Sequence, residues 1–401
     1  MLFFWLRFFG YRQDKLSAAE DEDDAAPATI VPGRYCSQPR KSIMYHPAEI
    51  RIEHSPAPLD GDLATARRGT QRRAAIDLDR GDSVLGSLRI SVDALPTRQH
   101  NMSVPLHSYT DFTIMHKGRL SKIVSASHKF TGEEVAIKMY DRTVMSAIQL
   151  EDIAREIDIL VMAKGVDGIV QYEKADNGKY LTAIVLKGCT GGTLAKRLAN
   201  AGGRMPEVMC VRDVVKPLVS ALAWLHEHNV VHRNLKPQHI LFDDEDELRI
   251  CDFFIAAVMG KTALVGREGS LAYMAPEMVT KPTDDEIFHE VIDNGISETD
   301  LPSYNEKVDI WSLGVITVEL LTGHKPFIAN TPGEMAAVQK QELQGDRWGG
   351  VLDFIRDQEF LSLSGQDFLS SILRIDPRDR PSARALMAHP WLDTVHSDLE
   401  A

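Results

Sequence analysis

"VVHRNLKPQHILF", residues 230–242, decides how this chain is read. Apolar Val230-Val231 and Ile240-Leu241-Phe242 enclose a polar middle that holds His232, Arg233, Asn234, Lys236 and His239. Upstream, Val211, Val214, Leu218, Leu222 and Leu225 recur at helical spacing and predict one buried stripe. Pro217 removes a backbone donor inside that stripe and predicts a kink. Downstream, "VDIWSLGVITVELLTG" (308–323) is apolar nearly all round, which predicts a buried helix closed by Gly323.

Earlier segments have a different texture. "EEVAIKMY" (133–140) follows the turn pair Thr131-Gly132 and is strand-like, as is the apolar run "LTAIVLKG" (181–188). Between them "QLEDIAREIDILVMA" (149–163) places Leu150, Ile153, Ile157 and Leu160 on one helical face. Strands with one helix, followed mostly by helices, predict an α+β chain with a small sheet-based lobe and a larger helical one. No internal repeat is visible.

Length and composition set the outer bounds. A chain of 401 residues, 44% hydrophobic and 26% charged, can bury a sizeable core. Its formal charge of −13 argues against nucleic acid as a partner. Cys36, Cys189, Cys210 and Cys251 show no metal-ligand spacing and are read as free thiols of a reducing, cytoplasmic compartment. "MLFFWLRFFGY" (1–11) is too short to span a bilayer and lacks the basic start of a signal peptide. Three roles stay open for it: contact with a membrane surface, which would make the protein membrane-associated, docking of a partner, or packing on its own domain. Residues 13 to about 105 lack apolar period and predict a mostly disordered tail, with one short strand at Leu88, Ile90 and Val92.

"VAIK" (135–138), "REIDIL" (155–160), "GGTL" (191–194), "HRNLKP" (232–237), "DFF" (252–254), "YMAPE" (273–277), "VDIWSLGV" (308–315) and "RDRPSARALMAHPWL" (378–392) stand in one order and spacing. In that order and spacing the chain resembles the eukaryotic protein kinases over roughly residues 110–392. The resemblance implies a bilobal fold: a tail over 1–105, a β-rich lobe and hinge over 106–189, a helical lobe over 190–392, and a C-terminal tail over 393–401. It implies that Lys138 holds nucleotide phosphates and pairs with Glu156, and that Asp252 binds Mg²⁺. Gly118, Ile123, Ala136, Leu186, Lys187, Cys189 and Leu241 fall at nucleotide-contacting places, and Lys236 at the γ-phosphate, where "HRNLKP" resembles the serine/threonine pattern. Glu277 and Arg380 match a structural ion pair. Two plainer readings compete, a solvated surface pair for Lys138 and Glu156 and a turn former for Asp252.

Several positions depart from the family pattern. "HKGRLSKI" (116–123) retains only Gly118 of three loop glycines. Asn234 replaces the catalytic aspartate, and an amide takes no proton at pH 7. His239 replaces an asparagine ligand of the second Mg²⁺, leaving at most a weak metal site there. Phe254 replaces a glycine, and is strained if that place needs positive φ. Gly266 stands where the family's loop phosphate would face Arg233. These departures predict a pseudokinase that binds or regulates a protein partner, such as an active kinase or its substrate, either with ATP as its ligand or nucleotide-free. The rival expectation is a slow serine/threonine kinase using Lys138, Lys236, Asp252 and one Mg²⁺. An acidic insertion at about 280–305, with Ile287, Phe288, Val291 and Ile292 as a helix face, is either a solvated loop or a partner-binding element.

Overall fold

A computed structural model describes residues 106–283, 286–287, 301–343 and 361–396. The expectations for the N-terminal aromatic segment, the tail and its short strand lie outside the described residues. So do those for Cys36, for most of the acidic insertion, and for the last residues of the C-terminal tail.

The fold is the bilobal kinase fold. Its small lobe is one antiparallel sheet in the order β1-β2-β3-β5-β4. The strands are β1 (Tyr109–Lys117), β2 (Ser121–His128), β3 (Glu134–Asp141), β4 (Tyr172–Asn177) and β5 (Leu181–Lys187). Strand alternation puts Ala136, Lys138 and Tyr140 on one face of β3 and Val135, Ile137 and Met139 on the other. Lys138 lies opposite Ile123 of β2 and Ile184 of β5, and Ala136 lies opposite Leu186. Helix α1 (Ala147–Met162) begins at Ser146 with a reciprocal capping box to Gln149. Its buried stripe is Ile153, Glu156, Ile159 and Leu160, so helical spacing carries one carboxylate inward with the apolar residues.

The chain then enters the larger lobe through β6 (Gly192–Thr193) and α2 (Leu194–Asn200), capped by the Thr193 hydroxyl. The stripe from Val211 to Leu225 is buried, as its spacing predicts, but Pro217 does not simply kink a helix. Residues Cys210–Val215 form a π-helix, with the Lys216 N–H donating to the Val211 carbonyl, and Pro217 then sits in the first turn of α3 (Lys216–Glu227). A proline in a first turn removes a donor that has no intrahelical partner there, so the widened turn absorbs its cost.

Helix α4 (Lys307–Thr322) is the spine of this lobe, with thirteen of its sixteen residues buried. It ends at Gly323 in the left-handed region (φ 78°), where a Cβ would also stand 2.8 Å from the Gly203 carbonyl. Helix α5 (Pro332–Glu342) packs on residues 271–279, helix α6 (Leu363–Ile372) packs against α4, and Trp311 stacks on Phe327 with ring centroids 5.3 Å apart. Buried Arg380 meets Glu277 through two bonds of 2.7 and 2.8 Å.

Two small sheets suspend the stretch quoted above. Its start is β7 (Val230–Val231), paired with β10 (Ala257–Val258). Its end is β8 (Ile240–Phe242), between β6 and β9 (Leu248–Ile250). The polar middle is therefore a loop fixed at both ends by backbone pairing.

Candidate functional site

Asp309 fixes that loop from below. It is fully buried near the start of α4, and its carboxylate accepts the backbone N–H groups of His232 and Arg233, each at 2.9 Å. The His226 Nε2 lies 3.0 Å from the same group. Burial would raise the pKa of Asp309, but these partners hold it below the usual carboxylate range. With its backbone so held, Arg233 takes a left-handed conformation (φ 67°) that disfavours side chains. His232 bonds the Cys251 carbonyl through Nε2 at 3.0 Å and meets the edge of Phe253, whose ring is wholly buried. The loop and the segment after β9 are thus locked face to face.

Glu156 and Lys138 meet at 2.7 Å, with side chains 2% and 7% exposed. That rules out the plainer reading of a solvated surface pair. Tyr140 donates its hydroxyl to the other Glu156 oxygen at 2.5 Å. Lys138 also reaches Asp252 Oδ1 at 2.6 Å, which makes Asp252 more than a turn former. Burial alone would lower the lysine's pKa, yet Asp252 and Glu156 raise it well above the ordinary value, so the ammonium is kept. Asp252 moves the other way, held well below the carboxylate range by Lys138 and His239 against the effect of burial.

His239 completes the centre. Its Nδ1 lies 2.9 Å from the Asn234 carbonyl and its Nε2 lies 3.2 Å from Asp252 Oδ2. Burial pushes its pKa down to about 4, with the Asp252 carboxylate pulling it upward. Both neighbours are acceptors, and a neutral ring has one N–H to give. Asn234 in turn accepts the Ser270 hydroxyl at its Oδ1, at 3.0 Å. A cavity of about 140 Å³ opens between these groups and the β1–β2 turn. Leu120, Ser121, Lys138, Tyr140, Asn234, Asp252, Phe254 and Ile255 line it.

The remaining sequence-predicted positions fall around this centre. Gly118 closes the β1–β2 turn by donating its N–H to the Ser121 carbonyl at 2.9 Å. Ile123, Ala136, Leu186, Leu241 and Cys189 are all half-buried, and burial raises the Cys189 thiol to about 11. Lys187 is exposed and pairs with Asp244 at 3.2 Å. Lys236 is half-buried, and its charge bears on His239. Phe254 corrects one expectation. It is absent from the left-handed region, which Asp252 occupies instead (φ 66°), and so carries no such strain. Its ring stacks on Tyr140 with centroids 5.4 Å apart.

Three working groups escaped the sequence reading. Tyr140 shares a strand face with Lys138, a spacing that could have revealed it. Asp309 is an acid in the apolar first turns of its helix, which is itself a sign of a buried acceptor. Tyr304 gave no local sign: its hydroxyl lies 3.3 Å from Arg233 Nη1 and donates to the Gly266 carbonyl at 2.9 Å.

A profile of the protein kinase domain matches residues 109–392. "Probable myosin light chain kinase" of Dictyostelium discoideum is 32% identical over 295 residues, covering 71% of this chain and 66% of the relative. "CDPK-related kinase 8" of Arabidopsis thaliana is 28% identical over 371 residues, covering 87% of this chain and 55% of the relative. The chain belongs to the eukaryotic serine/threonine protein kinase family. "Calcium/calmodulin-dependent serine/threonine-protein kinase 1" of Oryza sativa subsp. japonica is 31% identical over 269 residues, 65% of this chain and 40% of the relative. The matches thus span between 40% and 66% of these relatives' own length.

Protein kinases generally use ATP with Mg²⁺, which asks for hard oxygen ligands in near-octahedral geometry. The residues here do not fit that demand. Both Asp252 oxygens already face protein groups, the second ligand place holds an imidazole, and no cluster of three metal-ligating side chains exists among the described residues. Among those residues, too, no helix is long and apolar enough to cross a membrane.

Proposed function

We propose that this kinase-family chain is a pseudokinase that holds a nucleotide and acts by binding a protein partner, an active kinase or its substrate. The observation that carries the reading is Asn234. It stands on the cavity wall where the family's general base would stand, with its side-chain oxygen Oδ1 accepting the Ser270 hydroxyl. An amide offers no base at pH 7, and the lost proton transfer is worth about 10²–10⁴ in rate. Supporting it are His239 at the second metal place and Phe254 packed beside Lys138 at the phosphate end of the cavity.

What argues for a retained nucleotide is the closed Lys138–Glu156 pair, which presents one buried cation to the cavity. A cytoplasmic setting fits Cys189, Cys210 and Cys251, which are free thiols.

A second reading, slow phosphate transfer, draws on the same closed pair and on Asp252, because phosphoryl transfer depends on charge placement more than on a strong base. Labelled ATP with Mg²⁺ or Mn²⁺, offered to a general basic protein and to the chain itself, separates the two. The pseudokinase reading predicts incorporation no greater than that of Lys138→Met. Incorporation that Lys138→Met abolishes supports the slow kinase instead.

A further inference from the structure

We propose that the cavity binds the phosphates of a nucleoside di- or triphosphate as a free anion, with no divalent cation. This rests on the nucleotide-holding reading above and specifies its chemistry.

Asp252 is the carboxylate through which the family would hold its metal, and here both of its oxygens face protein groups. Lys138 lies 2.6 Å from Oδ1 and His239 lies 3.2 Å from Oδ2. A Mg²⁺ ion would have to share Asp252 with the Lys138 ammonium, and it asks for hard oxygen ligands at about 2.0–2.1 Å. His239 is not free to turn away, because its Nδ1 is tied to the Asn234 carbonyl at 2.9 Å. The ring thus stands in the place of an oxygen ligand, and imidazole is a poor ligand for Mg²⁺.

The donors that would meet a bare anion are present. Lys138 lines the cavity and bonds Asp252 at 2.6 Å, which lessens the repulsion that an unpaired carboxylate would exert on phosphate. Asn234 lines the same cavity, and its side chain carries an amide donor in place of an anion. Ser121, on the β2 side of the same cavity, carries a hydroxyl. At longer range the β1–β2 turn is basic. Lys117 and Lys122 are direct cross-strand partners, with Arg119 between them in sequence. Like charges directly opposite are unfavourable, and Lys117 contributes to a lowered pKa at Lys122 after burial.

The test is calorimetric titration of the full chain with ATP and with ADP, in EDTA, in Mg²⁺, and in Mn²⁺ or Zn²⁺. The expected result is binding in EDTA within about threefold of that in Mg²⁺, a difference too small for a metal bridge to the phosphates. Strengthening by Mg²⁺ of about tenfold or more would overturn the proposal. Binding that requires Mn²⁺ or Zn²⁺ would overturn it too, and would make Asp252 and His239 a chelating pair. Binding under none of these conditions would remove the nucleotide-holding reading itself, a result distinct from metal dependence. His239→Asn restores an oxygen ligand and releases Asp252 Oδ2. It is expected to gain a Mg²⁺ enhancement of about tenfold or more, with its unfolding midpoint confirming that it folds. A folded His239→Asn protein still indifferent to Mg²⁺ would count against the role given to His239.

Discussion

Lys138 has two carboxylate partners, and Glu156 is tied down a second time by Tyr140. This makes the residues of the centre unequal in what their loss should do. Tyr140→Phe deletes one hydrogen bond to a buried charge and should lower stability by about 1–3 kcal/mol, read from the denaturant midpoint at constant slope. Glu156→Ala leaves Lys138 with Asp252 alone and strands the Tyr140 hydroxyl, so it should cost more, about 3–5 kcal/mol. Equal losses in the two variants would mean that the Lys138–Glu156 bond contributes little. The lysine and the two acids were legible because each sits in a motif of its own. Their meeting was not legible, since Asp252 lies 114 positions from Lys138 and only the fold closes that gap. The doubled engagement of Asp252 also depends on the orientation of the His239 ring, which no spacing encodes.

Elements fail or hold through their anchors. The Asp309 carboxylate ties α4 to the loop at Arg233 across 76 positions, and its pKa is held below the ordinary value. A carboxylate with a depressed folded-state pKa contributes stability that is complete above about pH 4 and is lost as the pH falls through the folded value. Unfolding midpoints at pH 7 and at about pH 3.5 should therefore fall further for the natural chain than for Asp309→Asn. At pH 7 that variant should be less stable by about 2–4 kcal/mol, because the loop N–H groups lose a charged acceptor. Tyr304 plays the corresponding part for the segment that begins at Asp252, bridging Arg233 and Gly266 where the resemblance implied a loop phosphate. Tyr304→Phe should speed limited proteolysis between residues 260 and 267 with little change in the global midpoint. The π-helical turn before Pro217 belongs to this scale as well. Periodicity showed that the stripe was helical, but a proline alone does not say whether the chain bends or widens.

At the scale of the molecule, the apolar run of α4 and the order of strands before helices were enough to announce two lobes of unequal kind. The run 308–323 has no polar face to turn to solvent, so it must be central, and Trp311 and Arg380 close around it with the guanidinium 5.0 Å above the ring. Trp311→Ala should cost about 3–5 kcal/mol through the cavity it leaves, and calorimetry should show one cooperative loss and not a local one. What the sequence pattern could not state is how a kinase scaffold this intact is divided between binding and chemistry. That division rests on Asn234, His239 and Phe254, which differ from the family pattern without disturbing the lobes around them. The most direct measurement is phosphate transfer from labelled ATP by two proteins side by side, the natural chain and the variant carrying Asn234→Asp, His239→Asn and Phe254→Gly. The account predicts no transfer by the natural chain above the Lys138→Met background, and clear transfer by the repaired one. Transfer by the natural chain that Lys138→Met abolishes would contradict it.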